Sequence, residues 1–574
     1  MEENVIEDMR KRIYDYLQQQ KELELADIEA NSQLTDEEKV EAGLLIKDAQ
    51  VVKVCDNQYE LHTTEDNTKL RVGDSVRISN RYISANAKII DLYLEGLSIE
   101  TPAFMKLNDL VDIEVMEHMM LDPMLDLLDG LSEGCPGYSF LNLLAGKETP
   151  RSKGLGAIDV RFVKLPDVLN TAQRSAVTDC LIRPSVYCLQ GPPGTGKTAV
   201  LSAIAQIYAT MRKEVLVISN THQAVNNALN KIAEHADNFA VVKIGEKIKG
   251  EGLNKKIITA GTYNHYLAYR KNSKKRMEPA DVVGMTLHAA IINLGLRNSG
   301  FKPKIVLVDE AGQMPLPYAS LIGAFGCGSI IFIGDDKQMP PIFHPQLADN
   351  SLSVSIFEYL CGRYPALRHP LNITYRMNDE ITAFVSQNFY ESDEAGVKLV
   401  SADSAKDRRL NIEGISQEPI QVVEVPPQKS DLMEMECDVN VTEAEQAVEL
   451  ARIALQGGLS LKDIAIVTPY RRQVKCIRSL WKSKYPDETM PLINTVECLQ
   501  GQDVEMIIIS FVLNAKYGNM DMQLPFVLEK HRLNVMISRA KSKVVLLMSK
   551  DLNKCMSGIL NRNAYTSRDR KSVV

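Results

Sequence analysis

The chain has 574 residues, 45% apolar and 24% charged, ordinary globular composition at a length that suits about four domains. Its net charge of −8 excludes any inference of nucleic-acid binding from bulk charge, so such binding needs a local basic cleft. No apolar run approaches the roughly 18 residues of a membrane span, and Met1–Tyr16 is charged rather than signal-like. The ten cysteines stand singly with no C-x-x-C pair, which argues against a zinc module or disulfide scaffold and for an intracellular, reduced protein.

Residues 1–43 are rich in Glu, Lys, Gln and Leu, and Ile13, Leu17, Leu23, Leu25 and Ile28 recur at helical spacing. A helical stalk is expected, with Thr35-Asp36-Glu37-Glu38 capping a second short helix. Over 44–118 the pattern changes to short β runs (Ala49–Val54, Tyr59–His62, Ser75–Ile78, Ala87–Ile90), the spacing of a small β-barrel. Without an aromatic stacking set, scaffold and nucleic-acid grip stand equally for it. Residues 119–165 read as a Met- and Leu-rich stalk or linker whose methionines pack rather than bind a cofactor.

From Leu169 apolar strands alternate with helices, the mark of parallel α/β sheets. One series runs Val186–Leu189, Val215–Ile218, Ala240–Ile244, Val282–Met285, Ile305–Val308 and Ile330–Ile333. The second runs Ile420–Val425, Ile464–Val467, Met506–Phe511 and Val544–Met548. Two units are expected, 166–360 and 361–550, followed by a polar tail over 551–574.

The first strand runs into Gly191-Pro192-Pro193-Gly194-Thr195-Gly196-Lys197-Thr198, which fits G-x-x-x-x-G-K-[ST]. Its glycines let backbone N–H groups cradle phosphates, Lys197 reaches the β/γ-phosphates and the Thr198 hydroxyl holds Mg²⁺. The helix that follows presents its positive N-terminus to the same anion. After Ile305–Val308, Asp309 is placed to hold Mg²⁺ and Glu310 to deprotonate the attacking water. ATP and Mg²⁺ are the expected nucleotide and cofactor. Between about 245 and 280 basic residues alternate with tyrosines, and with Lys243 just before them they fit a single-strand channel and a solvated face about equally.

Gly334-Asp335-Asp336-Lys337-Gln338-Met339-Pro340-Pro341 resembles motif III of the superfamily 1 helicases, GDxxQLPP, with Met339 for leucine. Thr374-Tyr375-Arg376-Met377 followed by Asn388-Phe389-Tyr390 resembles QYRM…FY of the Upf-one-like, senataxin-like branch. Asn440–Ala444 and Val467–Gln473 match that branch too, and Arg532–Lys541 resembles motif VI. Motif V carries Glu497 for Asp and Asp503 for Glu.

The resemblance implies two tandem RecA-like parallel-sheet domains behind the helical stalk and barrel. It also implies that Gln173 reads the adenine edge, Gln338 senses the γ-phosphate, Tyr375 stacks on the base, and Asp503 contacts nucleotide. Arg376 and Arg539 become arginine fingers. Thr221, His222, Asn226, which stands where Asp is usual, Thr286, Pro340 and Tyr470 become nucleic-acid contacts. A monomeric 5′-to-3′ translocase on single-stranded RNA or DNA is the expected function. An ATP-gated clamp that does not unwind processively is the alternative.

Overall fold

The computed structural model describes residues 3–55, 57–63, 70, 75–93, 96–115, 121–135, 137–151, 163, 165–182, 184–245, 252–272, 281–292, 301–391, 396–425, 439–499, 503–512, 526–550 and 552–553. For 3–8, 91–93, 269–272, 281 and 498 only the backbone is described. The 551–574 tail apart from 552–553, and Gln500, Gly501 and Gln502 of motif V, lie outside these residues.

The stalk is one helix, Glu3–Gln33, followed by Asp36–Glu41, which opens on the expected capping box between Thr35 and Glu38. Its buried stripe is Met9, Ile13, Tyr16 and Leu17, spaced for one face. Leu25, expected on that stripe, is 45% exposed, although Leu23 packs on the core and Asp27 still meets His344 at 3.3 Å.

Strands β1 (Leu45–Cys55), β2 (Gln58–His62), β3 (Ser75–Ser79), β4 (Ser84–Tyr93), β5 (Gly96–Glu100) and β6 (Leu110–Val115) close a barrel in the order β1-β2-β5-β4-β3-β6. Closure leaves no strand edge open. The first four were expected. β5 and β6 complete the ring, and Gly96 is glycine because a Cβ would run into the Leu61 carbonyl.

The first α/β unit is an eight-stranded parallel sheet. Its strands are β7 (Val186–Gln190), β8 (Val215–Ser219), β9 (Ala240–Ile244), β10 (Ile257–Ala260), β11 (Asp281–Thr286), β12 (Ile305–Val308), β13 (Ile330–Gly334) and β14 (Arg368–Pro370). The order is β10-β9-β11-β8-β12-β13-β7-β14. Successive side chains enter opposite cores. Val186 and Cys188 pack with the stalk and with helices Asp122–Asp129 and Tyr138–Ala145, while Tyr187 and Leu189 pack with helices Thr171–Leu181 and Lys197–Thr210.

β14 lies past the expected 360/361 division yet belongs to this sheet. Arg368 forks onto Asp336 at 3.1 and 3.0 Å, and His369 stacks on Tyr187 with centroids 4.2 Å apart. These two contacts hold the strand against β7.

β15 (Ile373–Thr374) and β16 (Val400–Ser401) form a short parallel pair that leads into the second unit. That unit is a five-stranded parallel sheet of β17 (Ile420–Glu424), β18 (Ile464–Thr468), β19 (Leu492–Thr495), β20 (Val504–Ser510) and β21 (Ala540–Met548), ordered β17-β21-β20-β18-β19. In the first sheet the loops that carry candidate chemistry leave the C-terminal strand ends, where ligands gather in open α/β folds, whereas in the second Asp503 and Arg539 directly precede β20 and β21.

Candidate ATP and nucleic-acid site

β7 is buried along its length and delivers the chain into the 191–196 loop, after which Lys197–Thr210 begins. Gly194 and Gly196 take left-handed φ of 74° and 83°, which suits glycine. At Gly194 a Cβ would also lie 2.5 Å from Arg376 Cβ and from Thr374 Oγ1. Thr195 Oγ1 donates to the Pro192 carbonyl at 2.7 Å and Lys197 Nζ donates to the Gly191 carbonyl, so the loop is braced from within. Pro193 accepts from Thr374 Oγ1 at 2.9 Å. Thr198 and Gly191's successors line the cleft in front of the helix.

Gln173, expected at the adenine edge, is 3% exposed. Its Nε2 donates to the Thr195 carbonyl at 2.9 Å and its Oε1 accepts from Asn170 N at 3.0 Å. Both ends of the amide are thus engaged in bracing the loop and capping helix Thr171–Leu181.

Four adjacent strands, β8, β12, β13 and β7, point their C-terminal ends at one place. Asp309 follows β12 and is 6% exposed, and its carboxyl is pushed up to about 7 by burial and by Glu310, against the pull of Lys197. Glu310 adopts φ 53°, ψ 40°, a left-handed conformation that costs a non-glycine residue about 1–3 kcal/mol. That turn swings its carboxylate away from the strand axis into the cleft it lines, with Gln313 Nε2 3.4 Å from Oε2. Gln338, after β13, donates to Asp335 Oδ2 at 2.7 Å.

The second unit supplies the cations. Tyr375 N donates to the Gly194 carbonyl at 2.9 Å, and its hydroxyl accepts from Asn170 Nδ2 at 2.9 Å. Arg376 Nη1 donates to the Ser538 carbonyl at 3.1 Å, and its Nε lies 3.6 Å from Asp503 Oδ2 without hydrogen-bonding it. Burial, then the neighbouring Arg376, holds the Arg539 guanidinium down to about 10. Both guanidinium Nε atoms are buried without a hydrogen-bond partner.

Two cations side by side, Arg539 buried and Arg376 half-buried, each with an unfilled buried Nε, call for an anion between them and the 191–198 loop, and the phosphates of a nucleotide fit that demand. Thr198 and Asp309 offer one hydroxyl and one carboxylate, the oxygen donors Mg²⁺ takes when substrate phosphates complete its shell.

A cleft of about 1500 Å³ continues from this loop past Thr221 and Pro340 to Arg471 and Lys475, with Leu70 and Leu97 of the barrel on its wall. Thr221 also caps helix His222–Ala233 through Ala224 N at 3.2 Å. His222, the first residue of that helix, and Asn226, Thr286 and Tyr470 do not line this cleft. Asn226 accepts from Lys243 Nζ at 2.6 Å, and Thr286, 6% exposed, caps the following helix through Ala289 N at 3.3 Å. Tyr470 packs on Phe526 with centroids 5.8 Å apart.

Of the two readings of the basic, tyrosine-bearing stretch, the described residues favour the solvated face: Lys255 and Lys256 are exposed, Lys256 pairs with Asp237 at 3.0 Å, and neither lines this cleft. Lys243 is 1% exposed, and Tyr263 and Tyr266 are core residues packed with Phe301. Burial on the sheet's face claims those rings. Lys247, Lys249, Lys274, Lys275 and Arg276 lie outside the described residues, as do the side chains of Tyr269, Arg270 and Lys271.

The positive wall comes instead from helix Arg471–Lys484, where Arg471, Lys475 and Arg478 share one face. Their i, i+4, i+7 spacing is the signal in the sequence. In motif V, Glu497 sits 3.5 Å from Arg532, and Asp503 lies within 3.7 Å of Lys541 as well as beside Arg376.

Behind that helix Glu443 is fully buried, accepting from Ser510 Oγ at 2.7 Å and Val512 N at 2.8 Å. Burial outweighs these donors and pushes its carboxyl up from 4.5 to about 7. The folded state therefore gains stability from the protonated form. That gain is complete below the unfolded pKa near 4.5 and is lost as pH rises through about 7, on the order of 3 kcal/mol. Thermal melts should show wild type losing more Tm between pH 5 and pH 8 than Glu443→Gln; parallel losses would contradict the assignment.

Two AAA domain families match the sequence, one over residues 173–344 and the other over 352–551. The DNA replication ATP-dependent helicase/nuclease DNA2 of Homo sapiens is 29% identical over 406 residues, covering 66% of this chain and 37% of that protein. The DNA polymerase alpha-associated DNA helicase A of Schizosaccharomyces pombe is 28% identical over 83% of this chain and 76% of its own length. Among solved structures, the arterivirus nonstructural protein 10 helicase aligns with 90% of this chain and 79% of its own, at 11% identity and a TM-score of 0.39. The chain spans about a third of the length of the DNA2 proteins it matches.

Proposed function

The chain belongs to the superfamily 1 helicases of the Upf-one-like, DNA2-like branch, and from that premise we propose that it is a nucleic-acid-stimulated ATPase that translocates 5′ to 3′ along a single strand and separates duplex. Its two parallel sheets are the tandem RecA-like domains of that family. The observation that carries the reading is the pair of incompletely bonded guanidiniums, half-buried Arg376 and buried Arg539, which the second unit directs at the loop and acids of the first.

In this reading Lys197 leaves the Gly191 carbonyl for the β/γ-phosphates, and the 191–196 amides hold the remaining phosphate oxygens. Thr198 and Asp309 would hold Mg²⁺, which would supply positive charge to neutralise the phosphates. Glu310 takes the proton of the attacking water. Arg376 and Arg539 stabilise charge on the transferred phosphoryl, and because they come from the second unit, their engagement depends on the cleft closing. A strand lying between Thr221 and Pro340 on one side and Arg471 and Lys475 on the other is gripped by both units, so closure shifts it stepwise. The protein acts as a monomer within the cell, on RNA or DNA.

Matched single-stranded RNA and DNA oligonucleotides should raise the ATPase rate, and the better of the two should support displacement of a duplex carrying a 5′ tail but not one carrying a 3′ tail. Stimulation without displacement from either tail would identify the ATP-gated clamp. An ATPase rate indifferent to both oligonucleotides would remove the whole reading.

A further inference from the structure

Asp335 and Gln338 of the first sheet are tied to the second sheet by a buried ring of hydrogen bonds. Asp335, 3% exposed, accepts at Oδ2 from Gln338 Nε2 at 2.7 Å and from the Tyr390 hydroxyl at 2.6 Å. Asn534, fully buried, donates through Nδ2 to the Tyr390 oxygen at 3.0 Å and to the Lys337 carbonyl at 2.6 Å. Tyr390 closes the π-helical turn Ser386–Tyr390, the kind of helix irregularity often kept at functional positions. Asn534 lies on helix Lys530–Ser538, which Arg539 ends. The elements downstream of Arg376 and upstream of Arg539 therefore both reach the loop that carries Gln338.

The ring has a chemical consequence for that loop. The Gln338 amide that would face a γ-phosphate is held by Asp335, and a buried carboxylate yields a donor only if another remains. Lys337 N donates to Oδ1 of the same carboxylate at 3.1 Å, so the oxygen at issue is Oδ2, where the Tyr390 hydroxyl is the second donor. With it, Gln338 can swing to the phosphate while Oδ2 stays hydrogen-bonded. Without it, the swing leaves Oδ2 bare, and the carboxylate retains Gln338.

We infer that Tyr390, seated by Asn534, is a positioning residue that releases Gln338 to the γ-phosphate and makes that release depend on contact between the two sheets. The inference rests on the nucleic-acid-stimulated ATPase proposed above.

The test is steady-state ATP hydrolysis by the full chain, with and without a saturating single-stranded oligonucleotide. Tyr390→Phe is expected to lower the ratio of stimulated to unstimulated kcat by about tenfold, with KM for ATP held within about twofold. A residue that served only to pack would lower both rates together and leave the ratio intact, and that result overturns the inference. Asn534→Ala is expected to lower the ratio by about threefold, and combined with Tyr390→Phe to add little beyond the single change, since both act through one ring. Additive effects overturn it too, and Asn534→Ala alone decides the matter if Tyr390→Phe fails to fold. An unstimulated wild type would sink the ATPase reading itself. A stimulated wild type beside an equally stimulated Tyr390→Phe would sink only this inference.

Discussion

Glu310→Gln is expected to lower the stimulated kcat for ATP hydrolysis by about 10²–10⁴-fold while ATP binding, read by fluorescence of a labelled nucleotide, stays within about threefold of wild type. The expectation comes from position as well as charge. Asp309 is 6% exposed, and burial and then its neighbour Glu310 push its carboxyl up to about 7. Glu310 is turned out of the strand by its left-handed backbone and lines the cleft facing Arg376 and Arg539, whose charges both act on it electrostatically.

A base that must accept a proton from water beside a phosphate belongs at the second position, with the metal ligand at the first. The amide of Gln keeps the shape and the contact with Gln313 but cannot take the proton. Hydrolysis at the wild-type rate would transfer the base to another residue. Loss of nucleotide binding would mean that Glu310 shapes the pocket rather than reacting in it.

What could be read in the sequence was chemistry written in one continuous stretch. The 191–198 loop, the acid pair after Ile305–Val308 and the Thr35 capping box each depend on residues within a few positions of one another, where backbone geometry fixes the outcome. Most strands were equally legible, because parallel strands buried on both faces read as unbroken apolar runs. β5 and β6 of the barrel were less so, because Leu97-Ser98-Ile99 and Val111-Asp112-Ile113 offer only a short period-two alternation.

Facing was harder still. Tyr263 and Tyr266 carry the composition of a stacking surface, yet the sheet beneath them claims their rings for the core. Asn226 and Lys243 look like surface groups until β9 brings the lysine under the helix. The Asp335–Tyr390–Asn534 ring joins three segments separated by 55 and 144 positions, and no local pattern announces it.

Arg376→Ala is expected to reduce the stimulated kcat by about 10³–10⁵-fold, the range over which an arginine finger acts, with a smaller change in KM for ATP. The geometry argues for this division. Half-buried Arg376 has an unpartnered Nε and packs beside buried Arg539, so desolvation and like charge both oppose the pair's charges. Such a pair contributes little to holding the fold together and much once negative charge develops between the guanidiniums and Lys197. The Tm of ligand-free Arg376→Ala should accordingly stay within a few degrees of wild type while turnover collapses.

Arg376→Lys should recover little of the loss, because one ammonium cannot reach the Ser538 carbonyl, face Asp503 and still present a donor to phosphate. Arg376→Ala combined with Arg539→Ala should fall far short of the product of the two single losses, because both guanidiniums serve one developing charge. Multiplicative losses would instead mean that the two arginines act at separate steps, and the second sheet would no longer be completing a single site.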